Sequence, residues 1–365
     1  MSFTKHKIIF NNSIQMDKVE DNSVNLIVTS PPYPMIEMWD DIMSLQNPQI
    51  KNNINTNPHL AFELMHQELD NVWKECYRVI EDGGFLCINI GDATRTIEGN
   101  FELYNNHSRI SQYCISLGFV ELPCIIWRKQ TNAPNKFMGS GMLPNGAYVT
   151  LEHEYILIFR KGQKRPYKTN DEKQLRRVSS FFWEERNVWF SDLWDIKGTK
   201  QSINSNVTRE RNASFPFEIP YRLINMYSQK NDVVLDPFAG LCTTMKAAIL
   251  CQRNFIGYDI DDKLSTIIAD EIKNIDLDKY NSFIKNRFDT HKSFVYYREF
   301  VQKKPVKHFN NKLNCKVMTG QEEDIEFNYI KSISMIQDNC LTYEVEYIEN
   351  SDLNDLPYTK KGQLF

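Results

Sequence analysis

The run LIVT at residues 26–29 ends in Ser30-Pro31-Pro32-Tyr33. A hydroxyl, a proline carbonyl and an aromatic ring thus fall within four residues. The two prolines donate no backbone hydrogen bond and hold φ near about −65°. They stop a strand and leave rigid backbone at its tip. Such stiffness suits a site that must hold a carbonyl, a hydroxyl and an aromatic ring in fixed relation. The neighbouring ring offers a surface on which a planar group can stack.

A second cluster lies far along the chain. DVVLDPFAG (232–240) reads as a strand and a glycine turn, CTTMKAAILCQ (242–252) as a helix, and NFIGYDID (254–261) as a strand. Ala239 and Gly240 let the backbone approach a ligand, and the helix start offers free amides. The turn lacks both G-x-G-x-x-G and the Gly-Lys-Ser/Thr of a P-loop, which disfavours a pyrophosphate cofactor or ATP. Asp259 follows Asp236 by about twenty residues, where a carboxylate can accept both ribose hydroxyls of an adenosine moiety.

Elements that would position these clusters alternate along the chain. LIVTS (26–30) reads as a buried strand. Residues 59–80 carry apolar side chains at helical spacing, and Gly83-Gly84 is read as the end of that helix. FLCINIG (85–91) is the next strand. HSRISQYCISLGF forms a helix with Gly118 near its end, and ELPCIIWRK and YILIFRK (155–161) form strands. This alternation predicts an α/β fold with a mostly parallel sheet covered on both faces. Residues 165–212 break the rhythm with polar, basic sequence around FFWEERNVWF (181–190). PFEIPYRLINMYSQ (216–229) restores it as a helix. Beyond 275, SFVYYREFV and LTYEVEYIE read as strands, with loop-like KPVKHFNNKLNCK between them.

Composition narrows the class. The chain has 365 residues, 41% hydrophobic and 25% charged, as in ordinary globular proteins. Its net charge is −4, yet from Arg160 to Arg211 13 Lys/Arg stand against 7 Asp/Glu. Such asymmetry points to a basic binding face or a solvated insertion. The eight cysteines show no C-x-x-C and no zinc-ligand spacing to histidine, so no metal site is expected. No segment reads as a signal peptide or membrane span, and the free thiols fit a reducing, cytoplasmic setting.

Taken together, TSPPY (29–33), RVIEDGGFLCINIGD (78–92), EHEYILIFRK (152–161), ASFPFEIPYRLI (213–224), LDPFAGLCTT (235–244) and FIGYDI (255–260) resemble the amino-group DNA methyltransferases that use S-adenosylmethionine. Their order matches the permuted β group. TSPPYPMIEMWD is also similar to modification methylases of restriction systems, including the type that partners BamHI. Serine before the prolines resembles the cytosine-N4 form, since adenine enzymes more often carry Asp or Asn there.

The resemblance implies a Rossmann-like, mostly parallel seven-stranded sheet with helices on both faces. It implies a catalytic half (1–164), a target-recognition insertion (165–212), a cofactor-binding half (213–275) and an extension (276–365) for recognition or dimerisation. Ser30 and the Pro31 carbonyl would accept the amine's N–H bonds, Pro32 would stiffen the loop and Tyr33 would stack on a flipped base. Asn12, Phe215, Asp236, Pro237, Phe238, Ala239, Gly240, Thr243 and Asp259 would hold the cofactor. Tyr155 is a second wall for the base or a strand-core tyrosine. Arg176, Arg177, Arg186, Arg209 and Arg211 would contact DNA. Trp183 and Trp189 are read as core, His153 and Glu154 as structural residues at a strand start.

Two positions depart from the family pattern. Asn11-Asn12 stands where Gly-Asp is common, and Cys242 replaces a glycine. The expected partner is double-stranded DNA, with a restriction endonuclease acting on the same site without a stable complex and the protein a monomer or homodimer. Adenine-N6 methylation, a non-catalytic DNA-binding subunit and RNA methylation are the rival readings.

Overall fold

The computed structural model describes residues 2–130, 138–198, 215–337 and 340–348. Arg209 and Arg211 lie outside them.

The first part of the chain supplies β1 (Ser2–Phe10), β2 (Val24–Thr29), α1 (Asp40–Gln46), α2 (Pro48–Asn53), α3 (Pro58–Val79) and β3 (Ile80–Ile90). A hairpin, β4 (Ala93–Ile97) and β5 (Asn100–Tyr104), precedes α4 (Asn106–Ser116) and β6 (Phe119–Gln130). A second, β7 (Met138–Gly139) and β8 (Ala147–Tyr148), leads to β9 (His153–Lys161). Then come α5 (Asn170–Val178), α6 (Trp183–Trp189), β10 (Leu193–Lys197), α7 (Glu218–Tyr227), β11 (Val233–Asp236), α8 (Thr243–Leu250), β12 (Asn254–Asp259) and α9 (Leu264–Lys273). The end of the chain adds α10 (Leu277–Tyr296), the hairpin β13 (His308–Asn310) and β14 (Cys315–Val317), β15 (Tyr329–Gln337) and β16 (Thr342–Ile348).

One sheet organises the molecule, in the order β10-β6-β9-β3-β2-β11-β12-β1-β16-β15. It holds ten strands rather than seven. The extra ones come from the segments read as additions: β10 from the insertion, β15 and β16 from the extension. Strands β3, β2, β11, β12 and β1 are mutually parallel, and β9 runs antiparallel between β3 and β6. The carboxyl ends of β2, β3 and β11 therefore share an edge with the start of β9.

Adjacent apolar residues along these strands feed opposite layers. Ile8, Leu26 and Val28 pack with α7–α10, while Ile9, Ile27 and Leu86 pack with α3 and α4. Two-sided burial is why the strands read as continuous apolar runs. All eight cysteines are free thiols, six of them buried. Among the described residues no helix is long and apolar enough to cross a membrane.

Three local readings change. Helix α3 ends at Val79, and Gly83-Gly84 lie within β3 instead of closing the helix. Gly83 has φ +86°, and a Cβ there would meet the Arg165 backbone at 2.5 Å. The glycine marks a backbone crossing, not a helix cap. SFVYYREFV continues α10 and ends in a π-helical turn, because Phe294 packs laterally on Trp183. The loop-like KPVKHFNNKLNCK contains the β13–β14 pairing.

Insertion and extension are joined by buried polar contacts. Arg287 on α10 donates to both oxygens of Glu185 on α6, at 2.5 and 2.7 Å, with only 12% and 13% of the two side chains exposed. Its guanidinium lies over Trp189 and Phe327. His291 binds the Glu184 carboxylate through Nδ1 at 2.7 Å and the Lys316 carbonyl through Nε2 at 2.9 Å, so both ring nitrogens must donate. Burial alone would lower its pKa, but hydrogen bonding to Cys315, Glu184 and the Lys316 carbonyl, with the charge of Glu184, pushes it up to about 10. Trp189 is core as expected, whereas Trp183 stacks on Phe294 near the surface.

Replacing Glu185 by Ala leaves Arg287 desolvated without its carboxylate. Denaturant unfolding should show a loss of roughly 3 kcal/mol, whereas an exposed pair would cost under about 1 kcal/mol.

Candidate active site

The two motifs meet through one carboxylate. Asp236, at the end of β11, is 2% exposed. Its Oδ1 accepts from the Thr29 hydroxyl at 2.7 Å and the Phe238 amide at 3.1 Å, and its Oδ2 accepts from the Thr244 hydroxyl at 2.6 Å. Thr29 is the residue immediately before Ser30. The end of the serine-bearing strand is thereby tied to the turn after β11 and to the first turn of α8. Burial pushes the Asp236 pKa up to about 6, against the three hydrogen bonds that favour the charged form.

A cavity opens beside this tie. Its wall includes Ser30 and Pro32 as well as Asn12, Phe215, Asp236, Pro237, Phe238, Ala239, Gly240, Thr243 and Asp259. Every residue expected to hold the cofactor thus lines one space. Trp39, Ile42, Leu241, Ile260 and Leu264 add an apolar wall that the sequence reading missed. Trp39 and Ile42 follow TSPPY closely, and their apolar types beside the motif were the available signal.

Asp259 caps β12 and is held by the Gly240 amide at 2.8 Å and the Asp261 amide at 2.9 Å. Asn12 accepts from the Ile14 amide at 3.1 Å, so its side chain closes a turn at the cavity rim. Cys242 takes the left-handed conformation at φ 59° before α8. This is why glycine is the usual residue there: the bend is retained, and cysteine adopts it at some backbone cost.

The serine loop has its own scaffold. Ser30 Oγ lies 3.2 Å from the Tyr33 hydroxyl, which donates to Glu154 Oε2 at 2.9 Å. Asn89 Nδ2, near the end of β3, donates to Tyr33 Oη and to Glu154 Oε2, each at 2.7 Å. Lys129 forms an ion pair with Glu154 Oε1. Burial, then the charge of Glu154, raises the Tyr33 pKa well above that of an ordinary phenol. Fully buried Asn106 donates to the carbonyls of Pro34 and Gly91 at 3.1 and 3.0 Å, stapling the loop to β3. A Cβ on Gly91 would stand 3.0 Å from Tyr33 Cε2, so the missing side chain gives the ring its seat.

Pro31 is buried behind the loop. Glu154 is more than a residue that starts a strand, because its carboxylate reaches the Ser30 loop. The polar Asn89 inside FLCINIG was the overlooked signal. Tyr155 stacks on His107 at 3.8 Å, and His107 is held by Asp92 at 2.9 Å. Cys124 sits at a register shift in β6 with its thiol pKa raised by burial, an environment unlike that of an activated nucleophile.

Of the arginines expected to contact DNA, the described ones, Arg176, Arg177 and Arg186, do not line this cavity. Arg176 and Arg186 line a cavity of about 720 Å³ with Asn25, Gly83 and Asp232, at the amino ends of β2, β3 and β11. Arg177 is paired with Asp324 at 2.5 Å. Among the described residues no group of His, Cys, Asp and Glu could hold a metal ion.

The chain belongs to the DNA methylase family, whose sequence profile matches residues 24–270. It is 48% identical over 339 residues to the type II methyltransferase M.MthZI of Methanothermobacter thermautotrophicus, covering 92% of this chain and 94% of that one. It is 51% identical over 281 residues to the type II methyltransferase M.MjaI of Methanocaldococcus jannaschii, covering 74% and 91%. A Thermus thermophilus protein provisionally assigned as a DNA modification methylase, solved with S-adenosyl-L-methionine, superposes with a TM-score of 0.55 at 29% identity, over 74% of this chain and 97% of its own. The cytosine-N4-specific PvuII DNA methyltransferase superposes with a TM-score of 0.54 over 76% and 91%, and at 15% identity it speaks to fold alone.

The raised pKa of Asp236 predicts a pH dependence of stability. The folded state keeps the proton up to about pH 6, while the unfolded chain loses it near about pH 4. The contribution is therefore complete below about pH 4 and lost as pH rises through about 6, on the order of 3 kcal/mol at most. Unfolding free energies measured from pH 4 to 7 should fall by this amount relative to Asp236→Asn, which lacks the titration. Parallel curves would contradict the assignment.

Proposed function

We propose that this protein is a site-specific DNA methyltransferase that methylates the exocyclic N4 amine of a cytosine flipped out of double-stranded DNA, as the modification enzyme of a restriction-modification system. The carrying observation is the shared cavity: Ser30 and Pro32 occupy the same wall as Asp236, the 237–240 turn and Asp259.

The residues present fit S-adenosylmethionine. Apolar Phe215, Phe238, Leu241, Ile260 and Leu264 suit an adenine ring, and the Asp259 carboxylate, anchored by two amides, suits a ribose diol. Buried Asp236 and Asn12 supply polar atoms for the amino-acid portion. When bound, the cofactor would supply an electrophilic methyl group: an N–C bond would form as the S–C bond breaks, the electron pair staying on sulfur and the methylated nitrogen giving up one N–H proton to solvent.

The chain's own contribution is positioning. The lone pair of a cytosine amine is delocalised into the ring, which makes it a weak nucleophile. Ser30 Oγ and the Pro31 carbonyl accept its N–H bonds and draw the nitrogen towards a tetrahedral geometry. Pro31-Pro32 hold both acceptors without reorganisation. Tyr33 stacks on the extruded base, whose unstacking costs a few kcal/mol. Serine rather than a carboxylate or amide at position 30 supports cytosine.

Target reading belongs to the segments at the carboxyl edge of the sheet. Strand β6 ends there at Gln130, β9 begins there at His153 and β10 leads there through Lys197.

Mass analysis of nucleosides from DNA treated with the protein and S-adenosylmethionine should reveal N4-methylcytosine. N6-methyladenine alone would sink the cytosine assignment. Ser30→Ala should cut turnover by about 100-fold or more with cofactor affinity nearly unchanged. Asp259→Ala should weaken cofactor binding first, read by calorimetry, and unchanged affinity would count against its ribose role.

A further inference from the structure

The Ser30 loop contains enough donors and acceptors for its protons to be counted. Asn89 Nδ2 carries two hydrogens and has two short contacts, Tyr33 Oη and Glu154 Oε2, both at 2.7 Å; Ser30 Oγ is farther, at 3.5 Å. Tyr33 Oη carries one hydrogen and two lone pairs. One lone pair receives the Asn89 proton. A carboxylate only accepts, so the 2.9 Å contact with Glu154 requires the tyrosine's single proton. The remaining Tyr33 lone pair faces Ser30 Oγ at 3.2 Å, and Ser30 must donate into it.

We propose that Glu154 is the positioning residue that fixes this order, Ser30 to Tyr33 to Glu154, so that both lone pairs of Ser30 Oγ remain available to the N–H bonds of the target amine. The inference rests on the amine-methylation reading of the same site. In the reverse order Tyr33 would donate to Ser30, and the serine proton would be free to point at the amine, donor against donor. Tyr33 Oη would then oppose the Glu154 oxygen, lone pair against lone pair. That arrangement is excluded while Glu154 is charged. Its other oxygen is paired with the Lys129 ammonium, and the glutamate is only 7% exposed. Tyr33 thus has two tasks: its ring faces the base and its hydroxyl sets the polarity of Ser30.

Steady-state methylation of DNA from an unmodified host, with labelled S-adenosylmethionine, tests this, alongside calorimetric cofactor affinity. Glu154→Leu should lower kcat by about 100-fold and leave the cofactor Kd within about twofold. The double variant Glu154→Gln, Lys129→Met should recover most of the loss. Its amide oxygen can accept from Tyr33 and Asn89, and no ammonium opposes the amide nitrogen. Tyr33→Phe keeps Glu154 and the loop packing, and it should lose kcat without losing cofactor affinity; it decides the matter if Glu154→Leu does not fold. A wild-type kcat in Glu154→Leu or in Tyr33→Phe would overturn the inference. So would equal loss in Glu154→Leu and the double variant, which would mark Glu154 as structural. Absence of methyl transfer by the wild-type protein would instead overturn the underlying reading, and the inference with it.

Discussion

The placement of the site depends on a single buried carboxylate. Asp236 accepts from Thr29 on one side and Thr244 on the other, at 2.7 and 2.6 Å. Thr29 and Thr244 are far apart in sequence, and each is next to or within a functional segment. Burying a carboxylate without partners would be costly. Asp236 is accommodated because both oxygens are satisfied, so the arrangement exists only when β2, β11 and α8 are in register. The two halves of the site are brought together by one ionisable group, and its burial there raises its pKa.

A parallel sheet makes that register available. Strands β2 and β11 are neighbours and run the same way, so their carboxyl ends open onto one crevice, where α/β sheets bind ligands. The insertion and the extension extend this frame at its edges. The buried Glu185–Arg287 pair and His291, donating through both nitrogens, fasten them to each other. These contacts act on the layer formed by α6, α7 and α10.

Much of this was legible before the structure. Ser30-Pro31-Pro32-Tyr33 and the Asp236–Asp259 spacing are local patterns, and each contributes residues to the wall of one cavity. All nine residues expected to hold a cofactor line one cavity. What escaped the sequence is what depends on tertiary approach. Glu154 reads as an ordinary strand residue until β9 is known to run antiparallel to β3, which brings its start beside Asn89. Trp39 and Ile42 become walls only when the chain after Tyr33 folds back. SFVYYREFV has strand-like composition, yet packing of Phe294 against Trp183 holds it helical.

The basic insertion shows why charge is weaker evidence than topology. Composition marks its arginines as candidate DNA contacts; of the described ones, Arg176 and Arg186 stand at the amino end of β2, which crosses the whole sheet between Asn25 and Ser30. Arg176 shares a cavity with Asn25, at the end opposite to the serine loop. A strand of six residues spans about 20 Å at 3.3 Å per residue. Ser30 is therefore roughly that far from the Arg176 cavity wall. Arg176 and Arg186 lie over the rings of Tyr167 and Phe190, and a guanidinium already stacked loses packing when it turns outward.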